Sequence, residues 1–188
     1  MKQKIKEYSI QLFDQKGFKS TSIQDIVESI GVTKGTFYYY YTSKEQLLMD
    51  IHLHFIDEVL NEQEEVINDS EKSFSDKLFE VIYLSLLDIK KQGASAKVFY
   101  REMRHLSPES LTEIKAKRDL YRFNIEKLLY DGIKNGDLRS DFDVPIVSFA
   151  ILGVMNWSYE WYNPEGTKKA LEIAKTFQEM ILKGINLK

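Results

Sequence analysis

The sequence of 188 residues contains no cysteine, which excludes a disulfide framework, thiolate catalysis and zinc sites built on cysteine. It also lacks an apolar run of about 18 residues, the length that a membrane-spanning helix needs. The first six residues include three lysines, and no apolar signal core follows them. We therefore expect a protein of the reducing cytoplasm with no membrane partner.

The sequence motifs of common enzymes are missing as well. There is no glycine-rich phosphate loop, no Gly-x-Ser-x-Gly and no His-Glu-x-x-His. His52 and His54 stand two positions apart in a predicted helix, so they point about 200° apart and cannot chelate one metal ion. We expect no catalytic residue, no cofactor and no metal site, which leaves an all-helical enzyme only as an alternative class.

Charge is distributed unevenly along the chain. The formal net charge is −3, but residues 1–48 carry seven lysines and five acidic residues, for a net charge of +2. The remaining residues therefore carry a net charge of −5. This pattern argues against a general binder of polyanions and is compatible with nucleic-acid binding by the amino-terminal segment.

Residues 18–47 predict two short helices joined by a tight turn, the arrangement of a helix-turn-helix. Thr21 or Ser22 supplies the capping hydroxyl of the first helix. Gly31 ends this helix through a left-handed backbone conformation, and Thr33 caps the second helix. The apolar residues of the first helix have the spacing of one buried face and are Ile23, Ile26, Val27 and Ile30.

The second helix carries four consecutive tyrosines at positions 38–41, and they cannot all be buried because each residue turns the helix by about 100°. Phe37 and Tyr41 share a face and form the predicted core pair. The outer side chains can reach phosphates, Lys34 is the candidate base reader, and Gly35 lets the backbone come close. The predicted DNA-binding residues are Ser22, Thr33, Lys34, Gly35, Thr36, Tyr38, Tyr39, Tyr40 and Lys44. The alternative is an aromatic-rich packing helix in an all-helical protein.

Residues 8–53 resemble the DNA-binding domain of the TetR family of transcriptional regulators. The resemblance is carried by Gly31-Val-Thr-Lys-Gly-Thr-Phe-Tyr-Tyr-Tyr-Tyr-Thr-Ser-Lys-Glu-Gln-Leu47. Two positions depart from the family pattern, because Tyr41 stands where phenylalanine is commoner and Thr42 where proline or lysine is frequent. The resemblance implies a homodimeric repressor that binds palindromic double-stranded operator DNA and responds to a small ligand.

The sequence predicts an all-α protein with about nine helices. We expect a three-helix DNA-binding domain with the helix-turn-helix at residues 1–48 and a helical ligand-binding and dimerisation domain at residues 49–188. Apolar residues of the last two predicted helices, which begin near Val144 and Thr167, fall on more than one face. This favours a homodimer, with core helices of a monomer as the alternative. The predicted interface residues are Phe149, Gly153, Trp157, Leu171, Ala174, Phe177 and Ile181.

Three carboxy-terminal segments resemble the TetR branch that regulates fatty-acid or steroid catabolism and responds to acyl-CoA thioesters. They are Val98-Phe-Tyr-Arg-Glu-Met-Arg-His-Leu-Ser-Pro-Glu109, Lys117-Arg-Asp119 and Gly153-Val-Met-Asn-Trp-Ser-Tyr-Glu-Trp-Tyr-Asn-Pro-Glu-Gly166.

The resemblance implies that an acyl-CoA thioester releases the repressor from DNA. Aromatic side chains could wall an apolar tunnel, and arginines suit phosphate because their planar fork bonds two oxygens. The candidate ligand-binding residues are Phe79, Tyr83, Phe99, Arg101, Met103, Arg104, Tyr121, Arg122 and Trp157. The same aromatics could instead form the core, and the arginines could form ordinary ion pairs. Another bulky hydrophobic effector, as in repressors of multidrug efflux, is the alternative ligand, and a regulator without a small ligand also remains open.

Overall fold

The computed structural model describes residues 1–185, and this part of the chain is all-helical, as the sequence predicts. No helix within it is both long enough and apolar enough to cross a membrane. The helices are α1 (Lys2–Lys16), α2 (Ile23–Ile30), α3 (Lys34–Tyr40), α4 (Lys44–Asn68), α5 (Phe74–Glu102), α6 (Pro108–Asn135), α7 (Val144–Trp161) and α8 (Ala170–Ile185). A 3-10 turn at Met103–His105 separates α5 from α6.

The described residues form eight α-helices, where the sequence predicts about nine. The difference arises at Gly93, because the sequence predicts that one helix ends at this glycine and that another begins at Ala94. The structure instead continues α5 through this point, with a kink at Gln92, whose φ of −146° and ψ of 42° are non-helical. Glycine weakens a helix locally, so a kink beside it is a physically expected outcome.

Most helices begin at a side chain that accepts a hydrogen bond from a backbone amide of the first turn. Such capping satisfies amides that have no partner within the helix, and it fixes where each helix starts. The capping residues are Ser22, Thr33, Ser43, Ser73, Ser107 and Asp143.

The chain forms two compact units. The first unit comprises residues 1–57 together with 92–116, and the second comprises residues 58–91 together with 117–188. The sequence analysis divides the chain once, between residues 48 and 49. In the structure the amino-terminal unit continues past that point and also takes in the end of α5, the 3-10 turn and the start of α6.

Aromatic packing joins the two sequence segments of the first unit. Phe99, which belongs to the later segment, is buried, and its ring centroid lies 4.8 Å from that of Phe55 and 5.2 Å from that of His52. Residues 92–116 therefore supply part of the core on which the first part of α4 rests. Burial of an aromatic side chain of this size is worth roughly 2–3 kcal/mol.

The second unit has an apolar core formed by the end of α4, the first part of α5, and helices α6 to α8. The buried side-chain amide of Gln63 links two helices of this unit. It donates to the Tyr121 backbone carbonyl at 3.1 Å and accepts from the side-chain amide of Asn124 at 3.0 Å. These bonds fix α4 against α6, because a buried amide left without partners would be costly.

A pair of carboxyl groups also lies in the second unit. Asp88 on α5 is buried, and the half-buried Glu62 on α4 adds a second negative charge beside it. The Lys91 ammonium contacts both residues, at 3.0 Å from Glu62 and 3.7 Å from Asp88. Burial, and then the charge of Glu62, raises the pKa of Asp88 to about 7 against the opposing effect of Lys91.

The raised pKa of Asp88 predicts a pH-dependent stability. Between about pH 4 and pH 7 the folded chain keeps a proton that the unfolded chain has released, so the free energy of unfolding falls as the pH rises through this window. Asp88→Asn removes this cost and should stabilise the protein by about 2 kcal/mol at pH 8. Urea unfolding between pH 4 and pH 8 measures the effect.

Asp131→Asn is the matched control, because Asp131 is an exposed aspartate of the same unit. This variant should keep the pH dependence of the unmodified chain. If Asp88→Asn gives the same curve as the control, Asp88 does not carry the raised pKa.

Candidate DNA-binding surface

Helix α2 starts through reciprocal hydrogen bonds between Ser22 and Asp25. The Ser22 hydroxyl accepts from the Asp25 amide at 3.1 Å, and the Asp25 carboxylate accepts from the Ser22 amide at 2.7 Å. The other candidate cap, Thr21, is buried and donates to the Gly17 carbonyl at 2.9 Å. The structure therefore selects Ser22, and this occupies the side chain that we predict to meet the DNA backbone.

The turn between α2 and α3 has the geometry that the sequence predicts. Gly31 has a φ of 75° and a ψ of 38°, in the left-handed region that a residue without a Cβ adopts at low cost. The Val32 amide then donates to the Val27 carbonyl at 2.9 Å, which closes the helix end. Thr33 caps α3 by accepting from the Thr36 amide at 3.3 Å.

Helix α3 divides its aromatic side chains between an inner and an outer face. Phe37 and Tyr41 are almost fully buried, which confirms the predicted core pair. Tyr39 is 82% exposed and Tyr38 is 54% exposed, while Tyr40 is half-buried with its ring 4.9 Å from that of Tyr39. The outer face also presents Thr33, Lys34 and Gly35, with Thr36 half-buried beside them.

The hydroxyl of Tyr41 fixes this division. It donates to the Asp50 carboxylate on α4 at 2.7 Å, and the ammonium groups of Lys6 and Lys2 lie 3.2 Å and 3.6 Å from the same carboxylate. Burial, and then the bond to Asp50, raises the pKa of Tyr41 far above its usual range. Burial opposes ionisation of Asp50, but Tyr41, Lys6 and Lys2 together lower its pKa. The pair is therefore a neutral phenol bonded to a charged carboxylate.

Lys44 has a structural role that the sequence does not reveal. Its ammonium donates to the carbonyls of Phe18 at 2.7 Å and Thr21 at 2.6 Å, and it lies 4.3 Å from the centre of the Phe18 ring. Burial lowers the pKa of Lys44 against the opposing effect of Glu45 and Asp25. Lys44 thus ties the first turn of α4 to the connection between α1 and α2, whatever contact it also makes with DNA.

The candidate effector residues divide between the two units. In the second unit, the rings of Phe79 and Tyr83 are stacked with centroids 5.7 Å apart, and both side chains are half-buried, as is Tyr121. The Arg122 guanidinium forms an ion pair with Glu126 and lies over the Phe123 and Phe149 rings, at 4.3 Å and 5.0 Å.

In the first unit, Phe99 is buried in the core, and the Arg101 guanidinium lies 3.8 Å from Asp14. Met103 and Arg104 lie in the 3-10 turn, where Arg104 is exposed. Ion pairs therefore engage two of the predicted phosphate-binding arginines, Arg101 and Arg122.

Helix α7 has two apolar faces. One face packs into the core through Val144, Ile151 and Met155. The other face is exposed, and we call it the α7 stripe; it consists of Ile146, Phe149, Gly153, Trp157 and Trp161, with Trp157 62% exposed. This supports the sequence-based interpretation of an apolar helix that needs two partners.

Helix α8 does not present a second apolar face of this kind. Ala174 and Ile181, two of its predicted interface residues, are buried within their own chain, and Phe177 is half-buried. Leu171 and Met180 are exposed but stand nine positions apart, so they point to opposite sides of the helix. The exposed apolar surface of the predicted interface is therefore concentrated on α7.

Comparison with protein families matches two segments of the chain. Residues 7–51 match the model described as "Bacterial regulatory proteins, tetR family". Residues 71–185 match the model described as "Tetracyclin repressor-like, C-terminal domain".

Individual relatives extend over nearly the whole chain. The HTH-type transcriptional repressor KstR2 of Mycolicibacterium smegmatis is 26% identical over 175 residues, which cover 93% of this chain and 85% of that protein. The TetR family transcriptional regulator PfmR from Thermus thermophilus is 26% identical, with a TM-score of 0.89 and 98% coverage of both chains. AibR in complex with isovaleryl coenzyme A and operator DNA has the same fold, with a TM-score of 0.85 at 23% identity and coverage of 95% of this chain and 96% of that chain.

The geometry predicts that Tyr39→Ala and Lys44→Ala weaken DNA binding by different routes. Tyr39 is exposed, so its removal should lower affinity about tenfold and leave stability unchanged. Lys44→Ala leaves two carbonyls without their donor, and should lower the free energy of unfolding by about 2 kcal/mol as well as the affinity. Gel-shift titration with DNA from upstream of the protein's own gene, and urea unfolding, measure the two effects.

Tyr130→Ala is the matched control for Tyr39→Ala, because Tyr130 is an exposed tyrosine on α6. It should change neither quantity. Unchanged DNA affinity in both test variants would contradict the assignment of this surface.

Proposed function

This chain belongs to the TetR family of bacterial regulatory proteins, and on that premise we propose that it is a transcriptional repressor released from operator DNA by an acyl-CoA thioester. Membership makes the protein a DNA-binding transcriptional regulator rather than an enzyme. The outer face of α3 carries the proposal, because packing within its own unit does not account for exposed tyrosines there. A regulator acts where the chromosome lies, so we expect it in the cytoplasm.

In this proposal α3 enters the major groove. Lys34 reads base edges, and Thr33, Thr36 and the outer tyrosines set the position of the helix on phosphates. Gly35 supports a close approach to DNA. A Cβ at this position would lie 3.5 Å from the Thr33 hydroxyl, an ordinary contact, so the fold alone does not demand glycine. Close approach of DNA to the backbone at Gly35 would explain why this position has no side chain.

A two-fold dimer would present two copies of α3 to successive major grooves, about 34 Å apart, on a palindromic operator. The α7 stripe supports this arrangement, because it offers large apolar side chains on one side of one helix. A second copy of the same stripe is a self-complementary partner, as a two-fold interface requires.

The effector assignment draws on the chain and on a structural neighbour. AibR, which has the same fold, is described in complex with isovaleryl coenzyme A and operator DNA, and this supports an acyl-CoA as the class of effector. In our chain the stacked rings of Phe79 and Tyr83, with Tyr121, are the proposed contacts of the acyl group. Arg122 lies in the same unit, but its guanidinium would have to leave Glu126 before it could bind a CoA phosphate.

Release from DNA requires that the effector bind the DNA-free state more tightly than the DNA-bound state. A 100-fold preference is worth about 2.7 kcal/mol per site, and two sites in a dimer double this free energy. Such a difference is sufficient to empty an operator that is held with moderate affinity.

The proposed dimer predicts that Trp157→Glu dissociates the protein. The substitution would place an unpaired charge in an apolar interface, and should weaken self-association at least about 100-fold. Sedimentation velocity at micromolar concentration should show a dimer for the unmodified chain and a monomer for the variant. Tyr8→Glu, which changes an exposed aromatic residue on α1, should remain dimeric. A monomeric unmodified chain would contradict the proposal.

The effector proposal predicts that a long-chain acyl-CoA releases the protein from DNA, while the matching free fatty acid and CoA alone do not. Tyr83→Ala should raise the concentration for half-release about tenfold, because it removes one of the stacked rings. Fluorescence anisotropy of labelled upstream DNA measures release.

Tyr130→Ala again serves as the matched control, since it removes a tyrosine from the same unit outside the stacked pair. If the three ligands behave alike, or none releases DNA, the acyl-CoA assignment fails while the DNA-binding function stands.

A further inference from the structure

The first unit contains a cleft of about 370 Å³ at the connection between α1 and α2. One wall is residues 16–20, and the other is the end of α5 with the 3-10 turn. We call it the corner cleft. Its lining residues are Lys16, Gly17, Phe18, Lys19, Ser20, Glu102, Arg104 and His105.

The walls of the corner cleft are held by specific contacts. The Phe18 ring stacks on the His105 ring with centroids 5.5 Å apart and an interplanar angle of 21°. Glu102 is buried and lies 3.3 Å from His105. Gly17 has a φ of 82°, and a Cβ there would lie 3.6 Å from the Glu102 carboxylate, so the chain passes close to the second wall.

The corner cleft carries an excess of positive charge in a chain whose net charge is −3. Lys16, Lys19 and Arg104 line the cleft together with one carboxylate, that of Glu102, which lies beside His105. Within residues 1–185, neither Lys19 nor Arg104 forms an ion pair with a carboxylate. The ammonium of Lys16 lies 3.7 Å from Asp25.

The positive charges of the cleft help to lower the pKa of His105. Burial is the largest cause that lowers its pKa, and the charges of Lys19, Arg104 and Lys44 lower it further. These effects outweigh the neighbouring Glu102, which on its own would raise the pKa. An anion in the cleft would oppose the effect of these cations and so raise the pKa of His105.

We propose that the corner cleft binds the phosphate groups of a small anion. The Arg104 fork can bond two phosphate oxygens, Lys19 and Lys16 add point charges, and the exposed Ser20 hydroxyl adds a neutral donor. The volume lies within the range of small-ligand sites, about 300–1,000 Å³. The same chemistry could recognise a backbone phosphate of DNA, but the concave shape of the cleft favours a small anion.

A bound phosphate would connect Lys19 beside α2 to Arg104 in the 3-10 turn. These residues are far apart in sequence but belong to the same unit. The ligand would stabilise the packing of residues 92–116 against residues 1–57. Since α2 and α3 belong to the latter segment, it would also stabilise the helix-turn-helix. This site does not depend on the acyl-CoA assignment, because inorganic pyrophosphate is sufficient to test it.

The test uses the full chain and sodium pyrophosphate at constant ionic strength. The sequence has three histidines, so the His105 ring is resolvable by nuclear magnetic resonance, with His54 on α4 as an internal reference. We expect a saturable shift of the His105 signal and a rise of its pKa when pyrophosphate is bound. The absence of a saturable response would overturn the proposal.

Arg104→Gln and Lys19→Gln should each weaken pyrophosphate binding at least about tenfold. Lys115→Gln removes an exposed positive charge from α6 in the same unit and should bind as the unmodified chain does. Equal weakening in all three variants would mean that general charge, and not the cleft, attracts the anion.

A duplex from upstream of the protein's own gene distinguishes the two sources of phosphate. If pyrophosphate still binds when the protein is saturated with this duplex, the small-anion site is supported. If the duplex competes with pyrophosphate and itself shifts the His105 signal, the cations belong to the DNA contact and the small-anion proposal fails.

Discussion

The hydrogen bond from Tyr41 to Asp50 is the constraint on which the DNA-binding surface depends. Helix α3 has seven residues and would not be stable in isolation. Burial of Phe37 and Tyr41 attaches it to its unit, and the phenol hydroxyl then fixes the end of α3 to α4. With its orientation fixed from inside, the helix can present exposed tyrosines and a glycine that contribute little to folding.

Local features of the helix-turn-helix could be predicted from the sequence because their causes lie within a few residues. Gly31 and Thr33 act on the helix ends beside them, and the Phe37–Tyr41 pair follows from helical spacing. The role of Lys44 could not be predicted. Its partners are backbone carbonyls 23 and 26 residues away, and every residue has a carbonyl, so the sequence carries no signal for this contact.

In the carboxy-terminal half, too, contacts between residues far apart in the sequence could not be predicted from local patterns. Hydrophobic periodicity correctly indicated that α7 has two apolar faces, but it could not tell that Ala174 and Ile181 on α8 are buried within the chain. Apolar residues that face the core of their own chain and apolar residues that face a partner have the same helical spacing. Only the packed structure shows which residues are buried within the chain. Likewise, Glu62 and Asp88 are 26 positions apart on different helices, so their proximity follows from tertiary packing alone.

The discontinuous first unit has a consequence for how such regulators can exchange their DNA-binding specificity. A single genetic crossover after residue 57 would transfer α1 to α3 but leave behind residues 92–116. Phe55 would then meet a foreign residue in place of Phe99, with a cavity or a clash as the result. Specificity is therefore more easily altered by point changes on the outer face of α3 than by exchange of the amino-terminal segment.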